Sequence, residues 1–223
     1  MSERNGYEHG VPSWIAGAHA DPDEDRRGGF EHGGWATDYF DDVQGEYMGA
    51  RMGRGGGALL FGRWTYEKMR SAWTQQPEDN PVRQVLERNT KYVVSRSDKP
   101  VEWMNSELLQ GDAVETVRDL KARTEGNLVI LGSAELIHAL LPAGLIDAML
   151  LTIHPLVLGS GKRLYPDAFA RFKLVESKPT STGVLITRYE RAEATPARPA
   201  ASATWRPRSR PGRSPRARPG RRS

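Results

Sequence analysis

Three short segments of the sequence combine residue types that bind phosphate. Glycine lets a ligand approach the backbone, the first turn of a helix offers unpaired amide N–H groups, and a guanidinium matches two phosphate oxygens at once. Two of the segments place glycine before a predicted helix, and two place arginine just past a predicted strand. The segments are Gly62-Arg63-Trp64-Thr65, Ser95-Arg96-Ser97 and Gly132-Ser133-Ala134-Glu135. Together they suit a dinucleotide that carries a third phosphate.

The elements around the first and third segments repeat one pattern of strand, glycine and helix. The apolar run ALLF (58–61) predicts a buried strand, and Tyr66, Met69 and Trp73 follow at helical spacing, with Thr65 as the predicted N-cap. The run at 128–131 predicts a second strand, followed by a helix from about residue 134 to 141. A glycine turn that begins a helix can serve topology alone, so one such turn is weak evidence and two on one sheet are stronger.

The remaining patterns complete an α/β architecture. Helices are predicted at 81–89 and 112–126, strands at 91–95 and 147–159, and a hairpin at 172–191 around TSTG. Strands that alternate with helices predict a mostly parallel central sheet with flanking helices, closed here by a C-terminal antiparallel hairpin. Ligands of such sheets bind at the carboxyl ends of the strands, where all three segments lie.

The charge of the chain is unevenly distributed. The formal net charge is +4, but ten arginines and one glutamate lie from Arg191 onward, so residues 1–190 are net acidic. Residues 191–223 are rich in Arg, Pro, Ala and Ser without an apolar period, which predicts a disordered tail. Two interpretations stay open for the tail: an arm that binds nucleic acid or another polyanion non-specifically, or an extension without selected function.

Composition excludes several classes of function. The chain has no cysteine, so disulfide and thiol chemistry are excluded. No apolar run approaches the length of about 20 residues that spans a bilayer, and MSERNGYEHG is unlike a secretory signal. His32 in EHGG has no second ligand cluster at metal spacing, so we expect no metal. We expect a cytoplasmic protein.

Several stretches resemble one family. They are LLFGRWTYE, KYVVSRS, the long run from NLVILGSAEL to GSGKRLYPD, STGVLITRYE, and GGFEHGGW at 28–35. They resemble the dihydrofolate-reductase-like fold, in the branch that includes the reductase (RibD C-terminal) domain of the bifunctional riboflavin biosynthesis protein. The resemblance covers residues 21–190, which we take as the domain between a divergent segment (1–20) and the tail (191–223).

The resemblance implies an NADPH-dependent reductase of a small heterocyclic substrate. Its relatives include 5-amino-6-(5-phosphoribosylamino)uracil reductase and dihydrofolate reductase. It implies that the turn at 62–65 holds the pyrophosphate and that Arg63 faces the adenosine phosphate. It also implies that Ser95 and Arg96 read the 2′-phosphate. The turn from Gly132 through Ser133 and Ala134 to Glu135 would wrap the pyrophosphate near the nicotinamide.

Catalytic residues are less clearly marked. The resemblance places the pocket acid near Glu46, counted back from Gly62 across a glycine-rich stretch, and a solvated helix residue is an equal interpretation. Lys162 and Arg163 could face an anionic substrate, although an exposed basic turn is the commoner reading of such a loop. His32 lies in a glycine-rich loop that could cover the nicotinamide, and His154 ends a buried strand.

Residues 1–20 depart from the family pattern. Only SWIAG is apolar, and Pro12 precedes it, so we expect the central first strand to be missing and turnover to be impaired. The main hypothesis is a reductase that acts on a small molecule as a homodimer. The alternative is a cofactor-binding or inactive member of the fold with a polyanion-binding tail.

Overall fold

The computed structural model describes residues 12–14, 30–54, 57–159, 164–165 and 168–192. A short 3-10 helix at Thr37–Tyr39 precedes the first α-helix. The strands and helices, in chain order, are β1 (Pro12–Trp14), α1 (Asp42–Arg54), β2 (Ala58–Gly62), α2 (Arg63–Trp73), α3 (Pro81–Arg88), β3 (Lys91–Ser95), β4 (Ser106–Gln110), α4 (Ala113–Arg123), β5 (Leu128–Leu131), α5 (Ala134–Leu140), β6 (Ala148–Ile153), β7 (Phe172–Pro179) and β8 (Leu185–Arg191).

The described strands form one sheet in the order β4-β3-β2-β5-β1-β6-β8-β7. Neighbours from β4 to β6 pair in parallel, whereas β8 pairs antiparallel with both β6 and β7. The predicted α/β class, with a mostly parallel sheet and a C-terminal antiparallel hairpin, is therefore confirmed. Because the pairing is parallel, the C-terminal ends of β2, β3 and β5 lie side by side. We call this side of the sheet its carboxyl edge.

The expectation of a missing first strand is wrong. The backbone of β1 pairs in parallel with β5 on one side, where Ser13 opposes Ile130, and with β6 on the other, where Ser13 opposes Met149. A strand of three residues between two partners satisfies backbone groups that β5 and β6 would otherwise leave unpaired. The domain therefore includes part of the segment that the sequence set apart as divergent.

Helices cover both faces of the sheet, and the sheet separates two apolar clusters. On β2, Leu60 belongs to the cluster beneath α4 and α5, and its neighbours Leu59 and Phe61 belong to the cluster beneath α1, α2 and α3. This alternation follows from the twofold side-chain period of a strand. Both faces of β2 are buried, which explains why its sequence is continuously apolar.

Three local predictions need correction. Thr65 does not cap α2, because the helix begins at Arg63 with Gly62 as its N-cap. The strand β4 was not predicted, and the strand predicted to reach residue 159 ends at Ile153. The hairpin is confirmed, with its turn closed by a hydrogen bond from the Thr180 amide to the Val184 carbonyl.

Some predictions fall outside the described residues. The tail was predicted from residue 191, but Arg191 belongs to β8, and the rest of the predicted tail from residue 193 onward lies outside the described residues, as do the loop residues Lys162 and Arg163. Within the described part of the chain, none of the helices has the length and apolar character needed to cross a lipid bilayer.

Candidate functional site

A serine side chain joins two of the three predicted turns. The Gly62 amide donates to Ser133 Oγ at 2.9 Å, and the Ser133 hydroxyl donates to Thr65 Oγ1 at 2.8 Å. The turn at the end of β2 and the turn at the end of β5 are therefore held in direct contact. Thr65, predicted as a helix cap, instead accepts this bond from within the first turn of α2.

The turn after β5 has an unusual backbone. Gly132 and Ser133 both adopt left-handed conformations, with φ values of 69° and 63°. Glycine adopts this region freely, but a residue with a Cβ does so at a cost of about 1–2 kcal/mol. A Cβ added at Gly62 would lie 3.2 Å from Ser133 Oγ, a tight contact, so the close approach of the two turns also favours glycine there.

Arg63 joins the start of α2 to the third turn. Its guanidinium donates from Nη1 to the Pro100 carbonyl at 3.2 Å and from Nη2 to the Lys99 carbonyl. The Nη1 atom also lies 3.6 Å from Glu67 Oε1 within the same helix. The start of α2 therefore contacts both the turn after β3 and the turn after β5. These two turns flank it because β2 lies between β3 and β5 in the sheet.

The third turn is stabilised by its own serines. The Ser97 amide donates to Ser95 Oγ at 3.0 Å, and the Lys99 amide donates to Ser97 Oγ at 3.2 Å. Ser95 is buried at the end of β3, whereas Arg96 is exposed. The structure thus brings the three predicted turns together and leaves Arg96 at their surface.

The other predicted cofactor residues lie in the same turns. Trp64 is 39% exposed, with Lys68 Nζ 5.7 Å from its ring centroid. Ala134 and Glu135 begin α5, where Glu135 is exposed. Binding roles for these residues stay predictions.

The predicted catalytic acid, Glu46, lies exposed on α1. Among the residues of α1 whose side chains the structure describes (42–48), the buried polar residue is Gln44, whose Oε1 atom makes no hydrogen bond to the described residues. Gln44 could not be identified from the sequence, because the pattern of α1 does not show which of its faces packs against the sheet. The role of Glu46 as proton donor stays a prediction.

A histidine near the same edge is enclosed by aromatic rings. His154 follows β6, and its ring lies edge-on to Trp35 at 4.8 Å and to Tyr39 at 5.6 Å between centroids. Burial lowers the pKa of His154, so the neutral imidazole is favoured. Its Nε2 atom is buried without a hydrogen bond to the described residues. The signal in the sequence for the contact of these rings with His154 was the pair of aromatic residues Trp35 and Tyr39, four residues apart.

His32, predicted to lie over the nicotinamide, is exposed, with its ring edge-on to that of Phe30. Its role as a lid stays a prediction. Among the described residues, His, Asp and Glu side chains form no group of three that could hold a metal ion.

The loop that carries these rings is attached to the β7–β8 turn. Asp41 Oδ2 accepts from the Ser181 amide at 2.7 Å and from the Ser181 hydroxyl at 2.6 Å. The Thr182 hydroxyl donates to the Tyr39 carbonyl at 2.7 Å. The hydrogen bond from the Ser181 hydroxyl is the main reason that the pKa of Asp41 is lowered. We call residues 34–41 the anchored loop.

The three joined turns and the parallel sheet agree with a known family. The model of the RibD C-terminal domain family matches residues 9–186, a range that includes β1 and every turn described above. The chain belongs to the RibD C-terminal domain family. The resemblance inferred from the sequence is confirmed.

Relatives of this RibD C-terminal domain differ in how much they share with it. The uncharacterized protein YyaP of Bacillus subtilis is 31% identical over 134 residues, which are 57% of this chain and 70% of YyaP. A putative riboflavin biosynthesis protein from Shewanella sp. PV-4 superposes with a TM-score of 0.61 at 24% identity, covering 82% of this chain and 99% of that one. Dihydrofolate reductase from Enterococcus faecalis, solved with NADP(H), superposes with a TM-score of 0.51 at 19% identity over 82% and 97%. The two structures share the fold.

Proposed function

We propose that the protein is an NADPH-dependent reductase of a small heterocyclic compound. The observation that carries the proposal is the joining of three turns at the carboxyl edge of the sheet through Ser133 and Arg63. Two of these turns place glycine just before a helix, and the third carries an exposed arginine. Such a surface fits an extended ligand with several phosphates.

Family membership supports a reductase-type role. The E. faecalis neighbour was solved with NADP(H), and the Shewanella neighbour is described as a putative riboflavin biosynthesis protein. Together with family membership, these descriptions support a nitrogen heterocycle, such as a pterin or a ribosylaminopyrimidine, as the proposed substrate. The carboxyl edge of the sheet also carries the residues that the sequence analysis assigned to cofactor binding.

The residues at the site fit NADPH by their chemistry. Gly132 and Ser133 lead into α5 with left-handed backbone, and the exposed Arg96 provides a cation for a 2′-phosphate. When bound, NADPH supplies the hydride. The protein binds and orients the reactants and excludes water, and a carboxyl group such as Glu46 or an ordered water supplies the proton.

A titration followed by a turnover assay tests the proposal. Quenching or enhancement of nicotinamide fluorescence should give an affinity for NADPH at least about tenfold higher than for NADH, because NADH lacks the 2′-phosphate. NADPH oxidation is then followed at 340 nm with pterins and ribosylaminopyrimidines, and with Glu46→Gln beside the wild type. Equal affinities for the two cofactors, or no binding of either, would contradict the proposal.

The alternative of an inactive, cofactor-binding relic was based on the absence of the first strand. Since β1 pairs with both neighbours, that reason no longer applies. Binding of NADPH without oxidation of any substrate in the assay would restore the alternative. The homodimer, the cytoplasmic location and the polyanion-binding tail stay predictions from sequence. Light scattering tests the dimer, and salt-dependent binding of a generic RNA tests the tail.

A further inference from the structure

Two buried polar atoms adjoin the anchored loop, and neither makes a hydrogen bond to the described residues. Gln44 Oε1 belongs to the first turn of α1, and His154 Nε2 lies just past the end of β6. The Gln44 residue is only 8% exposed. Buried polar atoms in proteins are nearly always hydrogen-bonded, and one that is not costs free energy. Two such atoms beside one loop indicate a place where a ligand supplies the hydrogen bonds.

The anchored loop connects the two atoms. The rings of Trp35 and Tyr39 lie edge-on to the ring of His154, at 4.8 Å and 5.6 Å between centroids. At the other end of the loop, Asp41 Oδ1 accepts from the Gln44 amide at 2.8 Å. The loop therefore covers His154 with aromatic rings and leads directly into the helix that carries Gln44.

The ring of His154 presents Nε2 as an acceptor. Burial lowers the pKa of His154, so the ring is neutral at pH 7, and a backbone hydrogen bond to Thr152 opposes this lowering in part. Because Nε2 makes no hydrogen bond to the described residues, the bond to Thr152 comes from Nδ1, and a carbonyl accepts only from a protonated nitrogen. Nε2 therefore has a lone pair, as Gln44 Oε1 has, and both atoms require an N–H or O–H donor.

The strand order places His154 beside the proposed cofactor site. The strand β1 lies between β5 and β6 and is parallel to both, so the carboxyl ends of β5 and β6 are on the same side of the sheet. With about 4.8 Å between neighbouring strands, the end of β6 is roughly 10 Å from the turn at Gly132 and Ser133. A substrate ring stacked beside a dinucleotide held at that turn would lie between the turn and His154.

We infer that His154 Nε2 and Gln44 Oε1 accept hydrogen bonds from N–H groups of the heterocyclic substrate, and that the anchored loop closes over the bound ring. This inference rests on the proposed function. Two acceptors select a ring that carries amino or ring N–H groups over a ring of the same size that carries none. Both atoms are shielded from solvent, so the rings of Trp35 and Tyr39 must move aside as the substrate enters.

A pair of ring compounds tests the inference. Pterin carries an amino group and a ring N–H, whereas a lumazine methylated on both of its N–H nitrogens has the same bicyclic ring and no N–H donor. Dissociation constants for both compounds are measured by ligand fluorescence, without cofactor, for the wild type, His154→Phe and Gln44→Met. The first substitution keeps an aromatic ring in the loop but removes Nε2, and the second keeps the length of the side chain but removes Oε1.

A third variant, His138→Phe, is the matched control. His138 is also a half-buried histidine, but its Nε2 atom is hydrogen-bonded to the Leu164 carbonyl at 3.0 Å. It lies on α5, which packs on the face of the sheet opposite to α1. His138→Phe should leave the affinity for pterin within about twofold of the wild type.

The wild type should bind pterin at least about tenfold more tightly than the methylated lumazine. His154→Phe and Gln44→Met should each weaken pterin binding about tenfold and change lumazine binding by less than about twofold. Both variants should keep or raise the melting temperature, because each removes a buried polar atom that has no partner among the described residues. Nitrogen NMR of the His154 ring should show the proton on Nδ1, and the Nε2 resonance should shift when pterin is added.

Several results would overturn the inference: unchanged pterin affinity in either variant, equal affinity of the wild type for the two rings, or a proton on Nε2. A wild type that binds NADPH but neither ring would also overturn it and would leave the proposed cofactor intact. The proposed function fails separately if the wild type binds no NADPH while the pterin results hold.

Discussion

At the scale of single residues, Lys91 shows how the fold uses a buried charge. Its side chain is fully buried, and Nζ donates to the carbonyls of Leu86 at 2.6 Å and Asn89 at 2.8 Å, at the end of α3. The same Nζ lies 4.9 Å from the centroid of the Trp103 ring. Lys91 therefore satisfies carbonyls that the last turn of a helix leaves unpaired. A lysine that begins a strand gives no sign of this in the sequence, because its partners belong to another element.

Replacing Lys91 by methionine should lower the free energy of unfolding at pH 7 by about 1–3 kcal/mol, because buried carbonyls lose their donor. Burial lowers the pKa of Lys91 from 10.5 to about 8. Between these values the unfolded chain holds more protons than the folded chain, so the contribution of Lys91 to stability rises with pH. Urea unfolding of the wild type and Lys91→Met from pH 7 to 10.5 measures both effects.

The exposed Lys99 provides a matched control for this experiment. Lys99→Met should leave the free energy of unfolding within about 0.5 kcal/mol of the wild type, since its Nζ contributes only a surface ion pair. A stability difference between the wild type and Lys91→Met that stays constant from pH 8 to 10.5 would show that the pKa of Lys91 is not lowered.

At the scale of elements, the strands that could be predicted were those with a local pattern. KYVVS and LVIL are apolar and β-branched, and β3 and β5 occupy their predicted bounds. The strands β1 and β4 lack such a pattern. The first has only three residues, and the second, SELLQ, lies at the edge of the sheet with mixed polarity. Both are strands because of pairing with distant residues, which no local window contains.

The candidate site likewise has parts that local sequence signals predict and parts that depend on contacts between distant residues. Glycine and arginine beside a strand end are local signals, so the three turns could be predicted. The contacts that join them, from Ser133 to Gly62 and from Arg63 to Lys99, depend on which strands are neighbours. For this reason the sequence assigned Arg63 to a ligand, whereas its guanidinium contacts backbone carbonyls.

The anchored loop gives a prediction at this scale. Asp41→Ala removes the carboxylate that accepts from Ser181 and from the Gln44 amide, so amide exchange should become faster across residues 34–41. Hydrogen exchange read by mass spectrometry measures it. Because the pKa of Asp41 is lowered, the wild-type protection should be complete above the ordinary aspartate pKa of 3.8 and should be lost as the pH falls through the lower pKa of the folded state.

Asp42 is the control for the anchored loop, because it is an exposed neighbour in the first turn of α1. Asp42→Ala should leave exchange in residues 34–41 unchanged. If both variants exchange at the wild-type rate, the bonds to Ser181 do not hold the loop.

At the scale of the whole molecule, Arg191 bonds the last strand of the described domain to an earlier part of the chain. Its amide donates to the Asp147 carbonyl at 2.6 Å, and its guanidinium donates to the carbonyls of Ile146 at 2.8 Å and Leu141 at 3.2 Å. The end of β8 is thereby bonded to the segment that connects α5 to β6. The residues expected to form a tail begin at this point in the sequence.

Truncation after Glu193 should leave the melting temperature within about 1 °C of the full chain, because a segment without an apolar period adds no buried area. Arg191→Ala should lower it by at least about 3 °C through the loss of charge-assisted hydrogen bonds. Calorimetry or thermal circular dichroism compares the two. A large drop on truncation would show that residues beyond Glu193 contribute to the fold.

The position of β1 has a consequence for how the chain is made. Its two partners, β5 and β6, are translated long after it, and at about 5–20 residues per second the delay is of the order of ten seconds. Throughout that time the strands from β2 to β4 can fold locally on the ribosome, while β1 has nothing to pair with. Among the described strands, β5 and β6 pair with β1 and not with each other, so the sheet is joined at this position only once β1 has paired with both. Insertion of β1 is therefore expected to be the slow step of folding, and chaperones that shield nascent segments should raise the yield of native protein.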